Sequence, residues 1–523
     1  MRRAAAATRP DLLTTTAQRS VFAVNSPKRE AEQGRLGQGM LGTADVVFMV
    51  MAAAAPMAVV VALMPLGFAL GNGVGIPGTY LGVIAVMLLF AIGYVRIIPH
   101  IKNAGAFYAY ISASIGRTAG LAAAYIAALC YFALSASTVA AFAFFFERLL
   151  RSTAGWHTEW YLWAYLSIIL ISFLAYRRIT LAATALAIAL SAEVLLILIL
   201  DFAIVAHIGL GGLHLGDFSP AAVYAPGLGI GAIYAFDSML GIEGTAIYQE
   251  EARNARVTVP RATYISIVLV GLFYVFTAWC LTSSVPAGGV SAVARANPGG
   301  FVADRATEFL GASGALGVRI LVLTSSLAAV LGLFNNSARY LYALARDGTL
   351  PGILAATHPR HKSPHVAAAV LTAGLALIVA GAQIMRLNPY ANVTTALVGL
   401  GSIGLMTLLA VTSLGIPIFF ARRRAPTLGN TLAPFLGGLV IVWAVYLGFS
   451  RYSLLTGVNS SVINHLPYLL LVVGAIGLVQ AEWLRRFRPE IYRRIGANHI
   501  EGGALGDAED AIPTEGAIAA SAE

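Results

Sequence analysis

The stretch from Tyr234 to Ala262 reads YAFDSMLGIEGTAIYQEEARNARVTVPRA, and its reading decides the fold. An apolar helical run is interrupted at Ser238-Met239-Leu240-Gly241, with Asp237 and Glu243 flanking the break. It then passes into Glu250-Glu251-Ala252-Arg253-Asn254 and on to Pro260-Arg261-Ala262. Ionisable groups and glycine are costly in a lipid-facing helix, because hydrocarbon offers freed backbone groups no partner. They are tolerated where backbone lines a cavity, and interrupted helices of this kind form midplane sites in carriers.

Working outward, the rest of the chain is membrane-like. Hydrophobic residues make up 58% and charged residues 11% of the 523, the latter about half the share of a soluble domain. At about 20 residues per crossing, twelve apolar runs stand out. They lie near 44–69, 75–98, 119–149, 158–177, 180–206, 226–248, 261–284, 316–344, 366–385, 391–420, 432–450 and 465–484, and are called spans 1 to 12 below. The predicted fold class is an all-α polytopic membrane protein with about twelve transmembrane helices.

The net charge of +10 is a matter of topology, with no nucleic-acid partner implied. With the N-terminus inside, seven basic residues of the N-terminal tail and five from Arg485 to Arg494 fall on the inner side. So do the loop residues Arg96, Lys102, Arg117, Arg177, Arg178, Arg253, Arg256, Arg261, Arg339, Arg346, Arg360, Lys362 and Arg422 to Arg424. Arg148, Arg151, Arg295, Arg305, Arg319, Arg386 and Arg451 remain for the outer side. The positive-inside rule then predicts a cytoplasmic (inner) membrane protein with an even number of crossings and both termini cytoplasmic. Cys130 and Cys280 fall inside spans, where small packing residues are expected and a disulfide is not. Residues 1–40 lack the apolar core of a secretory signal and read as a cytoplasmic tail, as do residues 489–523.

The loops are too short for a soluble catalytic or nucleotide-binding domain. The longest outer connection, near 286–316, is expected to carry a short amphipathic helix at 301–310, and residues 100–116 an interfacial or re-entrant element. A weak internal symmetry is visible. Span 1 carries AAAAPM at 52–57 and span 6, five spans later, carries the Ser238–Gly241 break. Proline removes a backbone donor and glycine permits unwinding. Matching interruptions in two five-span halves predict inverted repeats around a midplane site, against the plainer reading of a proline kink and a packing glycine.

AAAAPM, NGVGIPG at 72–78, NAGAFYAYISASIGR at 103–117, GIEGTAIYQEEARN at 241–254 with TVPRA at 258–262, and FNNSARYLYALARDGTLP at 334–351 together resemble the amino acid–polyamine–organocation family of permeases. The resemblance covers about residues 41–420. It implies a ten-helix, five-plus-five inverted-repeat core with interrupted helices 1 and 6, followed by two peripheral helices over 421–488. Many members have a Gly-x-Gly type break in span 1; here the positions are alanine, alanine and proline.

Candidate substrate-binding residues follow. Unwinding at Ala53, Ala54, Ala55, Pro56 and Met57 frees N–H groups suited to a carboxylate, although alanines are also common helix packing. In span 6, Phe236, Asp237, Ser238, Met239, Leu240 and Gly241 offer carbonyls for an ammonium group. Similar permeases place an occluding aromatic where Phe236 and Tyr234 stand. Asp237 either binds a cation or proton or caps the second half-helix. Glu243 matches the Glu of the family's Gly-Phe-Glu and is expected to hold the half-helix or gate it.

Candidate ion-coupling residues are Glu193, Ser325 and Ser326. A charged carboxylate at the depth of Glu193 costs about 2.5–3.5 kcal/mol on insertion scales. It is therefore either a proton carrier or a neutral, hydrogen-bonded side chain, while Asp201, two turns outward, is expected nearer the interface. Some relatives place a coupling lysine in this span, but Lys28, Lys102 and Lys362 all lie outside the spans. Thr324, Ser325 and Ser326 match hydroxyls that bind sodium in related folds, unless they bond their own backbone. Glu250, Glu251 and Arg339, with Arg253, Arg346 and Asp347, form a candidate inner gate or simply solvated loop ends. His358, His361 and His365 lack a recognised metal spacing; no metal and no cofactor is expected.

The function expected is a secondary transporter for amino acids or related amines, coupled to protons (or sodium) or running by exchange, with spans 1, 2, 6 and 7 rocking against the rest. A polyamine transporter and a substrate-binding sensor without net transport are the alternatives. There is no Gly-Lys pair for a phosphate loop and no HExxH or GxSxG motif, so a pump and an enzyme are not expected, and two isolated breaks do not make a channel pore.

Overall fold

A computed structural model describes residues 41–101, 106–177, 183–249, 252–361, 363–456 and 460–496. Eleven of its helices are long and apolar enough to cross a membrane. The twelfth sequence span is span 6, which the structure divides into a helix over Leu228–Asp237 and a 3-10 segment over Ile242–Gln249. Among the described residues there is no strand, only an isolated bridge between Leu41 and Ala252.

Span 1 runs over Thr43–Leu70, broken after Ala53 and resumed at Pro56. Proline suits a first helical position because its missing N–H would be unpaired there anyway. Span 3 is a single 38-residue helix, Arg117–Ala154, packed against spans 4, 8, 10 and 12. Span 2, Ile76–Ile97, packs against spans 7 and 11. Leu166 and Ile169 of span 4, Leu436 and Trp443 of span 11, and Leu471 and Val479 of span 12 are exposed, as a lipid-facing belt requires.

Two elements differ from the sequence reading. Span 7 begins at Ala255 rather than 261, because Pro260 falls in the second turn and removes one backbone bond without ending the helix. Residues 489–496, read as the start of a tail, include a short helix Pro489–Arg494 and a fully buried Ile495. Gly496 N–H donates to the Tyr108 hydroxyl at 2.5 Å, which in turn donates to Asp347 at 3.0 Å. That hydroxyl belongs to a helix over Ala106–Ser114, within the segment expected to be interfacial. The amphipathic helix expected at 301–310 is the first arm of Phe301–Arg346, which kinks at Gly311, where φ is 73°.

Candidate functional site

The two breaks have different backbone solutions. In span 1 the chain turns at Ala55, which takes a left-handed conformation (φ 44°, ψ 63°) that L-residues other than glycine rarely adopt. In span 6 the left-handed position is Gly241 (φ 104°), where no Cβ is strained.

Span 1 resumes as a helix whose first N–H groups have no intrahelical partner. Met57 N–H donates to Glu193 Oε2 at 3.4 Å and Ala58 N–H to Ser325 Oγ at 3.2 Å. The Ser325 hydroxyl donates to the same Glu193 oxygen at 2.7 Å. Spans 5 and 8 thus hold the second half of span 1 through one carboxylate, 4% exposed, and one serine. Among the candidate carboxylate-binding residues, Met57 N–H is therefore already engaged by Glu193. Ser326 is buried next to Ser325, while Thr324 is exposed and bonds the Leu321 carbonyl of its own helix.

The span 6 break is capped from within: Gly241 N–H donates to Glu243 Oε2 at 2.8 Å, and the Glu243 carbonyl accepts from Tyr94 at 2.8 Å. Asp237 is half-buried and accepts a hydrogen bond from the Ser402 hydroxyl of span 10. Ser238 donates back to the Tyr234 carbonyl at 2.7 Å. Met239 is buried, Leu240 half-buried. Phe236 and Tyr234 are buried, and the Tyr234 hydroxyl has no hydrogen-bond partner among the described residues.

Two tyrosines join the breaks. Tyr274 of span 7 donates to the Ala54 carbonyl at 3.3 Å, and Tyr80 of span 2 shares a 2.8 Å hydrogen bond with Ser238. Their rings lie 5.7 Å apart. Tyr80, Tyr274 and Ser402 escaped the sequence reading; the only signal was a polar side chain at mid-depth in an apolar run. Asp201 is fully buried and accepts from Thr277 at 2.7 Å.

At the basic end, Arg253 N–H donates to the Leu41 carbonyl at 3.0 Å. Arg339 is exposed and makes no ion pair among the described residues. Glu250 and Glu251 lie outside the described residues, as do the tail at 1–40 and residues 497–523. In the loop, His358 stacks on His361 at 4.8 Å and accepts from the Arg360 and His361 N–H groups. At the opposite end, Tyr390 donates to the Ala62 carbonyl at 2.6 Å and Arg295 Nη2 to that of Ala69 at 2.9 Å. Cross-bundle contacts therefore exist on both sides of the breaks.

Comparison with known proteins agrees with this architecture. The chain is 22% identical over 42% of its length to the branched-chain amino acid permease BcaP of Bacillus subtilis, of which 46% is covered. It is 22% identical over 77% of its length to the low-affinity putrescine importer PlaP of Escherichia coli, of which 84% is covered. The chain spans about half the length of the Bacillus subtilis relatives it matches. Its fold is similar to that of MhsT, solved with L-phenylalanine, with a TM-score of 0.56, 17% identity, and coverage of 79% of this chain and 100% of that one. A family model described as amino acid permease matches residues 41–476, most of the sequence, and the chain therefore belongs to that family.

Proposed function

We propose that the chain is a secondary transporter of amino acids or related amines, working by alternating access in the cytoplasmic membrane with both termini inside. Residues 41–420 form the five-plus-five inverted-repeat core in this reading and residues 421–488 the peripheral pair. The observation that carries it is the pairing of two backbone breaks through Tyr274 and Tyr80, with carboxylates at both. Around the breaks, Asp237 and the carbonyls preceding Gly241 suit the ammonium group. Backbone near Ala53 to Pro56 suits the carboxylate of an amino acid, within the limits that Glu193 and Ser325 set.

Coupling is assigned to the proton, through Glu193. As a carboxylate it holds Met57 N–H and the Ser325 hydroxyl; hydrogen bonds to charged acceptors are roughly twice as strong as neutral ones. A proton arriving there loosens the outer half of span 1 from spans 5 and 8. Inner gating is assigned to Glu250, Glu251 and Arg339, with Glu243 maintaining the span 6 break.

The test is uptake into proteoliposomes of labelled amino acids and putrescine, under an inward proton gradient, an inward sodium gradient or none. Accumulation that collapses with the proton gradient supports the reading. Accumulation driven only by sodium overturns the coupling assignment, and binding without flux overturns transport in favour of a sensor.

A further inference from the structure

Only seven of the chain's 34 Lys and Arg fall outside the basic end, and three of them converge on one cavity. It has a volume of about 230 Å³ and is lined by Arg148 and Arg151 of span 3, Arg319 of span 8, Asp304, and a floor of Val61 and Val322. Basic residues are depleted on the outer side of membrane proteins, so such a concentration calls for a local reason. Their own neighbours satisfy only one of the three. Arg151 pairs with Glu147, and Asp304 accepts from Asn297 at 2.8 Å. Arg148 and Arg319 have no carboxylate partner among the described residues.

The cavity shares a wall with span 1, the helix that carries the first break. Val61 is five residues outward of Pro56, about 7.5 Å of helix rise. It is also wired to the outer half of span 1. The Arg148 guanidinium sits 5.4 Å over the Phe144 ring, Phe144 stacks on Tyr390 at 4.8 Å, and Tyr390 donates to the Ala62 carbonyl. Gly299 lines the same wall, where a side chain would press on the Phe144 ring.

We propose that this cavity is an anion-binding vestibule that takes the carboxylate of an incoming substrate on Arg148 and Arg319 and disfavours carboxylate-free polycations such as putrescine. The inference rests on the transporter reading and narrows its substrate class. Guanidinium matches carboxylate with two parallel N–H donors, and low-dielectric walls focus the field of one sign of charge. Putrescine would meet three guanidinium groups against the single carboxylate of Asp304, a net repulsion, whereas an amino acid would present its carboxylate first.

The experiment compares wild type, Arg319→Gln and Arg148→Gln/Arg319→Gln. Among the described residues Arg319 makes no side-chain hydrogen bond or ion pair, so its single variant guards against a folding defect. For initial uptake of a neutral amino acid, KM should rise about fivefold in the double variant, more than the maximal rate falls. The wild-type KM should climb with external salt, and the variant's should respond far less. Inhibition by putrescine should strengthen in the variant. An unchanged KM with unchanged salt response overturns the proposal. Should the wild type transport nothing, the transport reading fails separately. Thermal stabilisation of the purified protein by succinate, lost in the double variant, then still supports the vestibule. No stabilisation, or the same in both proteins, overturns it. Stabilisation by phosphatidylglycerol in neutral-lipid nanodiscs but not by succinate also overturns it, assigning the cavity to a lipid headgroup.

Discussion

Glu193→Gln separates what the side chain holds from what it carries. Oε2 accepts both the Ser325 hydroxyl at 2.7 Å and Met57 N–H at 3.4 Å. Glutamine can place its carbonyl oxygen there, so both donors keep an acceptor and only the charge is lost. A bond to a charged group contributes about 1.5–3 kcal/mol and a neutral one about 0.5–1.5. With only the shorter contact strong, the weakening is about 1 kcal/mol. Removing a charge from membrane depth offsets it by about 2.5–3.5 kcal/mol, so the variant should melt no lower than the parent. The expected loss is in coupling. One carboxylate carries one proton, and a one-unit inward pH gradient stores about 1.4 kcal/mol, or about tenfold accumulation. In proteoliposomes that ratio should fall to about one in Glu193→Gln, while exchange against internal substrate persists. A variant that still accumulates substrate refutes the assignment. Glu193→Ala is the companion. Ser325 can turn to its own helix, but Met57 N–H is left buried at a cost of about 1–3 kcal/mol. The alanine variant should therefore melt below the glutamine one, and equal melting refutes the structural half of the reasoning.

Other substitutions probe the two breaks. Ala55→Gly should raise thermal stability by up to about 1 kcal/mol: left-handed backbone costs alanine about 1–2 kcal/mol, and glycine gives back about 0.5–1 in chain entropy. A lower melting point would contradict the strain at φ 44°. Tyr80→Phe and Tyr274→Phe should each weaken substrate binding, and their double-mutant cycle should give a coupling of about 0.5 kcal/mol or more; additive effects would mean that the tyrosines do not bridge the breaks. Ser402→Ala strips Asp237 of a charge-assisted donor worth about 1.5–3 kcal/mol. Substrate affinity in a competition assay should shift about tenfold, and no shift would leave Asp237 as a helix cap alone.

What could be read from the sequence follows from how local each signal is. The span 6 interruption is written in adjacent residues, Asp237 to Gly241, and the structure breaks the helix at those positions. The proline of AAAAPM likewise marks where span 1 resumes. Hydropathy located the spans because a 20-residue apolar run is its own evidence. By contrast, Tyr80, Tyr274 and Ser402 are single polar residues whose roles depend on how each helix is rotated against its neighbours. Apolar runs without strong periodicity do not reveal that rotation. The same holds for Asp201: its place along the helix was legible, whereas the face it occupies, buried against Thr277, was not.

The alanine at the span 1 break is informative because glycine would be easier there. In span 6 Gly241 takes the left-handed position and Glu243, two residues on, caps its N–H, with Tyr80, Tyr94 and Ser402 bonding the residues around it. Span 1 has neither device. Its left-handed residue bears a Cβ, and the N–H groups after Pro56 reach to Glu193 and Ser325 on two other spans. The N–H groups after the span 1 break therefore rely on a carboxylate and a hydroxyl of other spans, while the left-handed turn of span 6 is capped by its own Glu243. In the proposed cycle, movement of span 1 against spans 5 and 8 must break the Glu193 contacts, whereas the Gly241–Glu243 cap can travel with its helix. Protonation thus acts most directly on the break whose backbone is least able to hold itself. In that proposed cycle the asymmetry gives the strained alanine a use: a span 1 break stable on its own would respond less to the ion.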